Sequence, residues 1–427
     1  MSHRYFVCIL FFSSFSSSST SFTSFFSSPM NPQRLHAIMS GQDRGLGARA
    51  LRLGLACAEP IYRGVVGLRN RLFDLGIRKA RKLPRPVISV GNITTGGTGK
   101  TPMVIEIVCR LLAMGQKPAV LMRGVGQDEY RELDETINRG QRTNDVVSRS
   151  TTLEEMFQAG CGVPVVPHPS RHGAGLDVLT RLPETSVFVL DDGFQHRQLH
   201  RDLDLVLVDA VEPFGFGHVL PRGMLRESLR GLSRSDAMIV TRADRATPQQ
   251  LGELDATLAR YAGKPPLAHA AHEWSGFEVY DATGAWPATT WQTTNNLRDG
   301  KAAGIDQLRD AKVVAVCGIG NPGAFLQTLR QHVREIAAEH LFPDHHAYTL
   351  DQVTRIVRDA IDRGAAGVVT TAKDFVKWRA FLPPFGGEAS MWYEKLPRAM
   401  PIYRPKLVMR FMDGSDSLDA LLRGLWT

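Results

Sequence analysis

Six consecutive residues, Gly96-Gly97-Thr98-Gly99-Lys100-Thr101, have the types and order needed to hold a nucleoside triphosphate. Glycines let successive backbone N–H groups turn toward phosphate oxygens. A helix opening directly after them adds positive potential. The Lys100 ammonium can reach the β- and γ-phosphates, and the Thr101 hydroxyl can ligate Mg²⁺. The strict spacing GxxxxGK[ST] would place its first glycine where Thr94 stands, and the nearest earlier glycine is Gly91. The loop is therefore a local variant, identified by the order strand, glycine-rich turn, Lys-Thr, helix.

Such a site also needs a carboxylate at a strand end to orient magnesium. Asp191-Asp192 supplies two, directly after the apolar residues 187–190, and Asp209 is a rival at the next strand end. A single Asp after a strand is commonly a cap or turn former, whereas two together downstream of the loop favour metal work. Thr241-Arg-Ala-Asp244 resembles the base-reading loop of P-loop GTPases and keeps open a GTP-driven metallochaperone or switch protein. Gly318-Ile-Gly320-Asn-Pro-Gly323 fits the dinucleotide pattern GxGxxG. No acidic strand end follows about 20 residues on, and Asn-Pro suits a plain turn. Phe342-Pro-Asp344-His345-His346-Ala-Tyr348 could ligate a metal or supply an imidazole for proton transfer. Adjacent histidines on a strand face opposite ways, which favours the acid–base or orienting role.

These residues need elements to position them. Short apolar runs at 86–90, 117–122, 186–190, 204–208 and 237–240 read as buried strands, with a helix over 102–114. Residues 270–305 show no clear period and read as a linker or β-rich connection. Beyond it, strands at 313–316 and 367–370 and helices over 322–339 and 350–363 resume the α/β texture. Alternating strands and helices imply a mainly parallel sheet with helices on both faces, P-loop NTPase-like, plus a second, smaller α/β domain. Residues 50–82 read as a helix with Ile61, Val65, Leu68, Leu72 and Leu75 at helical spacing, crowded by Arg63, Arg69, Arg71, Arg78, Lys79, Arg81 and Lys82. That pattern fits a surface helix packed on the core, or an interfacial helix lying on anionic lipid.

The expected division is a low-complexity leader at 1–29, a basic helical segment at 30–83, the nucleotide domain at 84–269, a linker at 270–305 and a C-terminal domain at 306–427. The Ser/Phe/Thr-rich leader is expected to lie outside the mature fold, with initiation at Met30 or Met39. At 43% hydrophobic and 22% charged residues, the 427-residue chain should fold around real cores. The formal charge of +8 fits an anionic substrate, an anionic membrane face or nucleic acid without choosing among them. Five scattered cysteines with no CxxC suggest neither a zinc site nor a disulfide framework. No apolar run reaches the ~18–20 residues of a membrane span.

Taken together, the motifs resemble those of the tetraacyldisaccharide 4'-kinase family. They are the loop 90–102, Leu190-Asp-Asp-Gly-Phe-Gln-His-Arg197, residues 209–217, Leu220-Pro-Arg-Gly-Met-Leu-Arg-Glu227, the Asp-His-His segment and Thr370-Thr-Ala-Lys-Asp374. The likeness covers about 35–420. It implies two α/β/α units joined by a β-type linker, with ATP and Mg²⁺ as cofactors. The implied reaction is phosphorylation of the 4'-hydroxyl of a tetraacylated glucosamine disaccharide 1-phosphate, in lipid A synthesis. The implied place of work is the cytoplasmic face of the inner membrane, reached peripherally, with no nucleic acid and no obligate protein partner. By position, Lys100 and Thr101 match the family's loop residues and Asp191 and Asp192 its magnesium-side acids. His345 matches a histidine that partners a catalytic aspartate. That aspartate is expected at Asp128, with Glu129 beside it, in Arg123-Gly-Val-Gly-Gln-Asp128-Glu129, where Val125 replaces the usual aromatic. Asp134 and Asp145 are competitors. Arg171, Arg222, Arg226 and Glu227 are candidates for the phosphate and sugar side.

Overall fold

The computed structural model describes residues 32–95, 97–123, 163–280, 304–320, 322–343, 346–382, 392 and 400–426. Two helices come first, α1 (Pro32–Ser40) and α2 (Leu46–Asp74). The strand β1 (Val87–Asn92) leads into α3 (Lys100–Ala113), followed by β2 (Pro118–Met122), β3 (Val165–Pro167) and α4 (Arg171–Arg181). Next are β4 (Val187–Asp191), β5 (Leu203–Asp209), β6 (Ala237–Thr241), α5 (Pro248–Ala262) and the long β7 (Ala268–Tyr280). The C-terminal part holds β8 (Lys312–Cys317), α6 (Pro322–Leu329), β9 (Glu335–Leu341), α7 (Leu350–Asp362) and β10 (Gly367–Thr370). Helix α8 (Ala372–Trp378), β11 (Ile402–Phe411) and α9 (Ser415–Arg423) complete it.

The strands form one sheet of order β3-β2-β4-β1-β5-β6-β7-β11-β10-β8-β9. Every pairing is parallel except β7 with β11. The α/β expectation, a mainly parallel sheet with helices packed on it, is what the chain builds. Period-2 alternation sorts the strand side chains between the faces. From β1, Ile88 and Val90 pack with Met103, Val104, Ile107 and Leu111 of α3. Val87 packs instead with Phe188, Leu190 and the α4 residues Ala174 and Val178. All these residues are nearly inaccessible to solvent, which is why the strands read as unbroken apolar runs.

Two compact units emerge. One comprises residues 1–77, 93–96 and 214–229; the other comprises 78–92, 97–213 and 230–427. Of the segment expected to link two domains, residues 270–280 are strand β7, while 281–303 lie outside the described residues.

One element departs from the sequence expectation. The helix expected over 322–339 ends at Leu329, and Glu335–Leu341 is strand β9 beside β8. Helix formers such as Glu335, Ala337, Ala338 and Glu339 bias the local reading, but pairing with β8 overrides propensity. His340 therefore sits in a strand and meets Asp359 of α7 at 3.0 Å. The basic helix is also shorter than expected: α2 stops at Asp74, so Arg78, Lys79, Arg81 and Lys82 follow it.

His269 of β7 fastens three segments: Nδ1 lies 2.9 Å from Asp413 and Nε2 lies 3.1 Å from Asp255 of α5. Burial pulls its pKa down, but hydrogen bonds and charge from Asp255 and Asp413 outweigh that and raise it above the ordinary 6.5. The stabilisation is fully present below the unfolded pKa and is lost as pH rises through the folded one. His269→Gln is therefore expected to lower Tm most at pH ~6, with the difference from wild type shrinking as pH rises. A pH-independent difference in thermal melts would refute the charged role.

Candidate functional site

Strand β1 lies between β4 and β5, with Val90 level with Asp191 and Asn92 level with Leu207. The chain leaves β1 toward β2–β4 on one side, and β5–β6 lie on the other. This is a topological switch point, where open α/β sheets place ligands at the carboxyl ends of strands. The phosphate-binding sequence begins at that end.

Gly99 caps α3 in the left-handed conformation at φ 82°. Its close neighbour is His272 of β7: a Cβ on Gly99 would stand 2.2 Å from His272 Nε2. Glycine is thus required for both backbone and contact reasons. From the next strand, the Thr241 hydroxyl donates to the Thr98 carbonyl at 3.0 Å. Lys100 opens the helix, and its Nζ donates to Asn92 Oδ1 at 3.3 Å and stands 3.9 Å from Asp192 Oδ1. Thr101 follows on α3. Gly97 is exposed and Thr98 buried, while Gly96 lies outside the described residues.

The acid pair is built by a sharp turn. Asp191 ends β4, and Asp192 takes φ 51°, which few residues other than Gly, Asn and Asp adopt. Gly193 and Phe194 then return against β1, and a Cβ on Gly91 would meet the Phe194 backbone nitrogen at 2.6 Å. Gln195 Nε2 donates to the Asn92 carbonyl at 2.8 Å. Arg171, expected on the phosphate side, is 4% exposed and donates to the carbonyls of Asp191 at 2.6 Å and Asp192 at 3.4 Å. Its place is on the turn that aims the two carboxylates. The rival Asp209 is engaged by Arg242, whose Nε donates at 2.9 Å.

A second group involves residues 214–229. Arg226 N–H donates to the Ile93 carbonyl at 2.8 Å, and Thr95 N–H to the Met224 carbonyl at 2.8 Å. Glu227 is 2% exposed and accepts from Asn70 Nδ2 at 2.8 Å. Arg222, another substrate-side candidate, donates to the Met39 carbonyl at 2.8 Å, at the end of α1.

The remaining motifs divide. Asp128, Glu129, Asp134, Asp145, Asp344 and His345 lie outside the described residues. His346 is stacked on Phe342, centroids 4.5 Å apart, with Nε2 3.1 Å from Gln352, so it serves packing. The GxGxxG match cannot cradle a phosphate at its first glycine. Gly318 N–H donates to Asp374 Oδ2 at 2.9 Å, and the Thr371 hydroxyl reaches the same oxygen at 2.6 Å. A carboxylate already occupies the amide and would repel a pyrophosphate. Among the described residues no group of three or more His, Cys, Asp or Glu could hold a metal alone. Sequence reasoning assigned no role to Asn92, Gln195, Thr241 or His272. The first three sit inside quoted motifs, but His272 has no local signal, because β7 reaches the loop only through the sheet.

A family model for tetraacyldisaccharide-1-P 4'-kinase matches residues 51–409. The chain belongs to the tetraacyldisaccharide 4'-kinase family. It is 35% identical to the tetraacyldisaccharide 4'-kinase of Geobacter sulfurreducens over 88% of this chain and 94% of that protein. It is also 35% identical to that of Halothermothrix orenii over 76% of this chain and 82% of that protein. A crystal structure of LpxK from Aquifex aeolicus, described as an "apo" form in complex with ATP, superposes with a TM-score of 0.58 at 25% identity, covering 88% of this chain and all of that one. The family consists of phosphotransferases of lipid A biosynthesis. Membership makes the chain a phosphotransferase rather than a GTP-driven metallochaperone or switch protein.

For a kinase of this family the Gly99–His272 contact is a direct test of the loop. Burial, then Arg242 and Arg245, push the His272 pKa down to about 4, so its imidazole is neutral at working pH. Gly99→Ala is expected to cost about 1–2 kcal/mol from the left-handed backbone alone, lowering Tm and raising KM for ATP. Adding His272→Ala should recover the contact part but not the backbone part, as calorimetry and ATP titration would show. Unchanged Tm and KM in Gly99→Ala would refute this account.

Proposed function

We propose that this chain transfers the γ-phosphoryl group of ATP to the 4'-hydroxyl of a tetraacylated glucosamine disaccharide 1-phosphate. The observation that carries the reading is Lys100 at the N-terminus of α3, facing the Asp191–Asp192 turn across 3.9 Å. A lysine ammonium and a helix N-terminus favour the spread negative charge of phosphoryl transfer. ATP as the nucleotide is supported by the Aquifex aeolicus relative.

The donor set fits Mg²⁺. Asp191, Asp192 and Thr101 offer hard oxygen ligands, and a site short of a complete protein cage suits an ion that completes its shell with phosphates and water. Bound there, Mg²⁺ would offset charge on the phosphates. The chain's own part is positional. Arg171 fixes the turn that carries the acids, and Asn92 holds the Lys100 ammonium at the loop. The family resemblance supplies Asp128 as proton acceptor, oriented by His345. The sugar hydroxyl proton passes to the Asp128 carboxylate as its oxygen bonds to Pγ. The bond from Pγ to the β–γ bridging oxygen breaks, and ADP leaves. Arg226 and Glu227 are assigned to the phosphate and sugar side, and the C-terminal segment 306–427 to a lobe joined to the nucleotide part through β7 and β11.

The acceptor is a lipid, and α2 supports peripheral docking on an anionic bilayer. Leu46, Leu53, Ile61, Val65 and Leu68 are 84%, 68%, 66%, 64% and 62% exposed. At helical spacing they fall along one side of α2, while Leu55 and Glu59 on the opposite side are buried. Exposed Arg49 and Arg71 flank the stripe. An amphipathic face with bare apolar residues and basic flanks suits anionic lipid. No helix among the described residues is long and apolar enough to cross a membrane. We place the enzyme at the cytoplasmic face of the inner membrane.

The deciding experiment is transfer of ³²P from γ-labelled ATP to the purified disaccharide lipid. Lys100→Ala should abolish detectable transfer with its circular dichroism unchanged, a loss of several kcal/mol of barrier stabilisation. Asp128→Ala and His345→Ala should each lower kcat more than they raise KM for ATP, and the double variant should be little worse than the worse single. Fast GTP hydrolysis without lipid would overturn the kinase reading. Leu53→Glu with Ile61→Glu should reduce pelleting with vesicles containing phosphatidylglycerol; equal pelleting would remove α2 as the docking face.

A further inference from the structure

Helix α2 has a second face, and its contacts are polar. Glu59 is 7% exposed, accepting from Val219 N–H at 3.2 Å and Arg63 at 2.7 Å and pairing with His218 Nδ1 at 2.9 Å. Three residues on, the Tyr62 hydroxyl donates to the Arg226 carbonyl at 3.0 Å. Two turns further, Asn70 donates to the Glu227 carboxylate at 2.8 Å. Residues 59, 62 and 70 lie on one side of a helix at 3.6 residues per turn, opposite the bare apolar stripe. The bolted segment, 218–227, is tied on its other side to the start of the phosphate-binding loop: Thr94 bridges Leu225, Arg226 N–H donates to Ile93 and Thr95 N–H donates to Met224. Glu227 is almost wholly buried, so each partner it has inside the protein, the Asn70 amide among them, helps set where its carboxylate lies.

We propose that Asn70 and Tyr62, supported by Glu59, are positioning residues for Arg226 and Glu227, so that the helix meant to seat on lipid also sets the substrate-side loop. This rests on the reading of Arg226–Glu227 as the phosphate and sugar side. A helix is stiff over this distance, so the lipid-facing stripe and the loop move as one body. Seating α2 on a bilayer then presents the loop to a lipid acceptor at a fixed height.

The test uses the full chain in detergent micelles with the disaccharide lipid as acceptor. Asn70→Ala should lower kcat/KM for the lipid about tenfold, the effect of losing a hydrogen bond to a charged group, while KM for ATP stays at the wild-type value. Asn70→Asp should be worse than Asn70→Ala at pH ~8, where two carboxylates face each other. That gap should close as pH falls and one of them takes up a proton that can be donated again. Tm measured for both variants at each pH separates positioning from a loss of global stability, which would follow the same ordering. Vesicle pelleting of Asn70→Ala should equal wild type. Amide hydrogen exchange over 218–227 should be faster in Asn70→Ala than in wild type. That last measurement needs no turnover, so it judges the positioning role even if lipid phosphorylation itself is not observed. Unchanged exchange, unchanged kcat/KM for the lipid, or an equal rise in KM for ATP would each overturn the proposal.

Discussion

Everything at the site depends on how closely the 191–194 turn approaches the end of β1. A Cβ at Gly91 would lie 2.6 Å from the Phe194 nitrogen, so only glycine lets the turn close. Because it closes, Asp192 comes within 3.9 Å of Lys100, and Gln195 reaches the Asn92 carbonyl at 2.8 Å. The spacing Gly91–Lys100 departs from the strict phosphate-loop pattern, and this contact gives the departure a physical reason. The early glycine is placed where a neighbouring turn must pass. The later glycines serve the loop itself.

Charge is arranged so that few groups compete at this centre. Arg242 engages Asp209, and one terminal nitrogen of Arg171 donates to the carbonyls of Asp191 and Asp192. His272 is held neutral by burial and two arginines. Among the described residues, the Lys100 ammonium stands 3.9 Å from the Asp192 carboxylate at the start of α3, and it is on these groups that the proposed magnesium nucleotide would sit. The same logic disqualifies the second glycine-rich loop, where Asp374 fills the anion position from within. Two loops of similar composition thus differ in chemistry because of one buried carboxylate outside either motif.

Much of this was legible in the sequence because buried parallel strands are continuous apolar runs. Strands at 187–191, 203–209, 237–241 and 367–370 fall within a residue or so of the apolar stretches that announce them. Strand β9 was not legible, since Glu335, Ala337 and Ala338 favour a helix and only the edge of β8 makes them a strand. Nor was β7: its run of His, Glu, Ser and Gly carries little strand signal, and a partner more than 120 residues away, β11, holds it in place. Lys100 and Asp192, both named from residue types, are brought within 3.9 Å of each other by the sheet. The contacts of Arg171 could not be read from residue types, because its carbonyl partners lie on a turn 20 residues away in the chain.

The helix α2 shows why amphipathicity has to be read with the sign of burial attached. Its apolar residues at helical spacing suit a helix packed on a core as well as a helix on lipid. Here the usual arrangement is inverted over Ile61–Leu68: the apolar side chains face outward, and Glu59, Tyr62 and Asn70 face the protein. Burying a carboxylate such as Glu59 is costly unless donors meet it, and His218, Val219 N–H and Arg63 do so, holding its pKa below the ordinary value against the opposing effect of burial. Over Glu59–Asn70 the inward face of the helix is held by polar contacts, while Ala48 and Leu55 bury apolar surface nearer its start. That leaves Ile61, Val65 and Leu68 exposed, as the proposed docking of α2 on lipid requires.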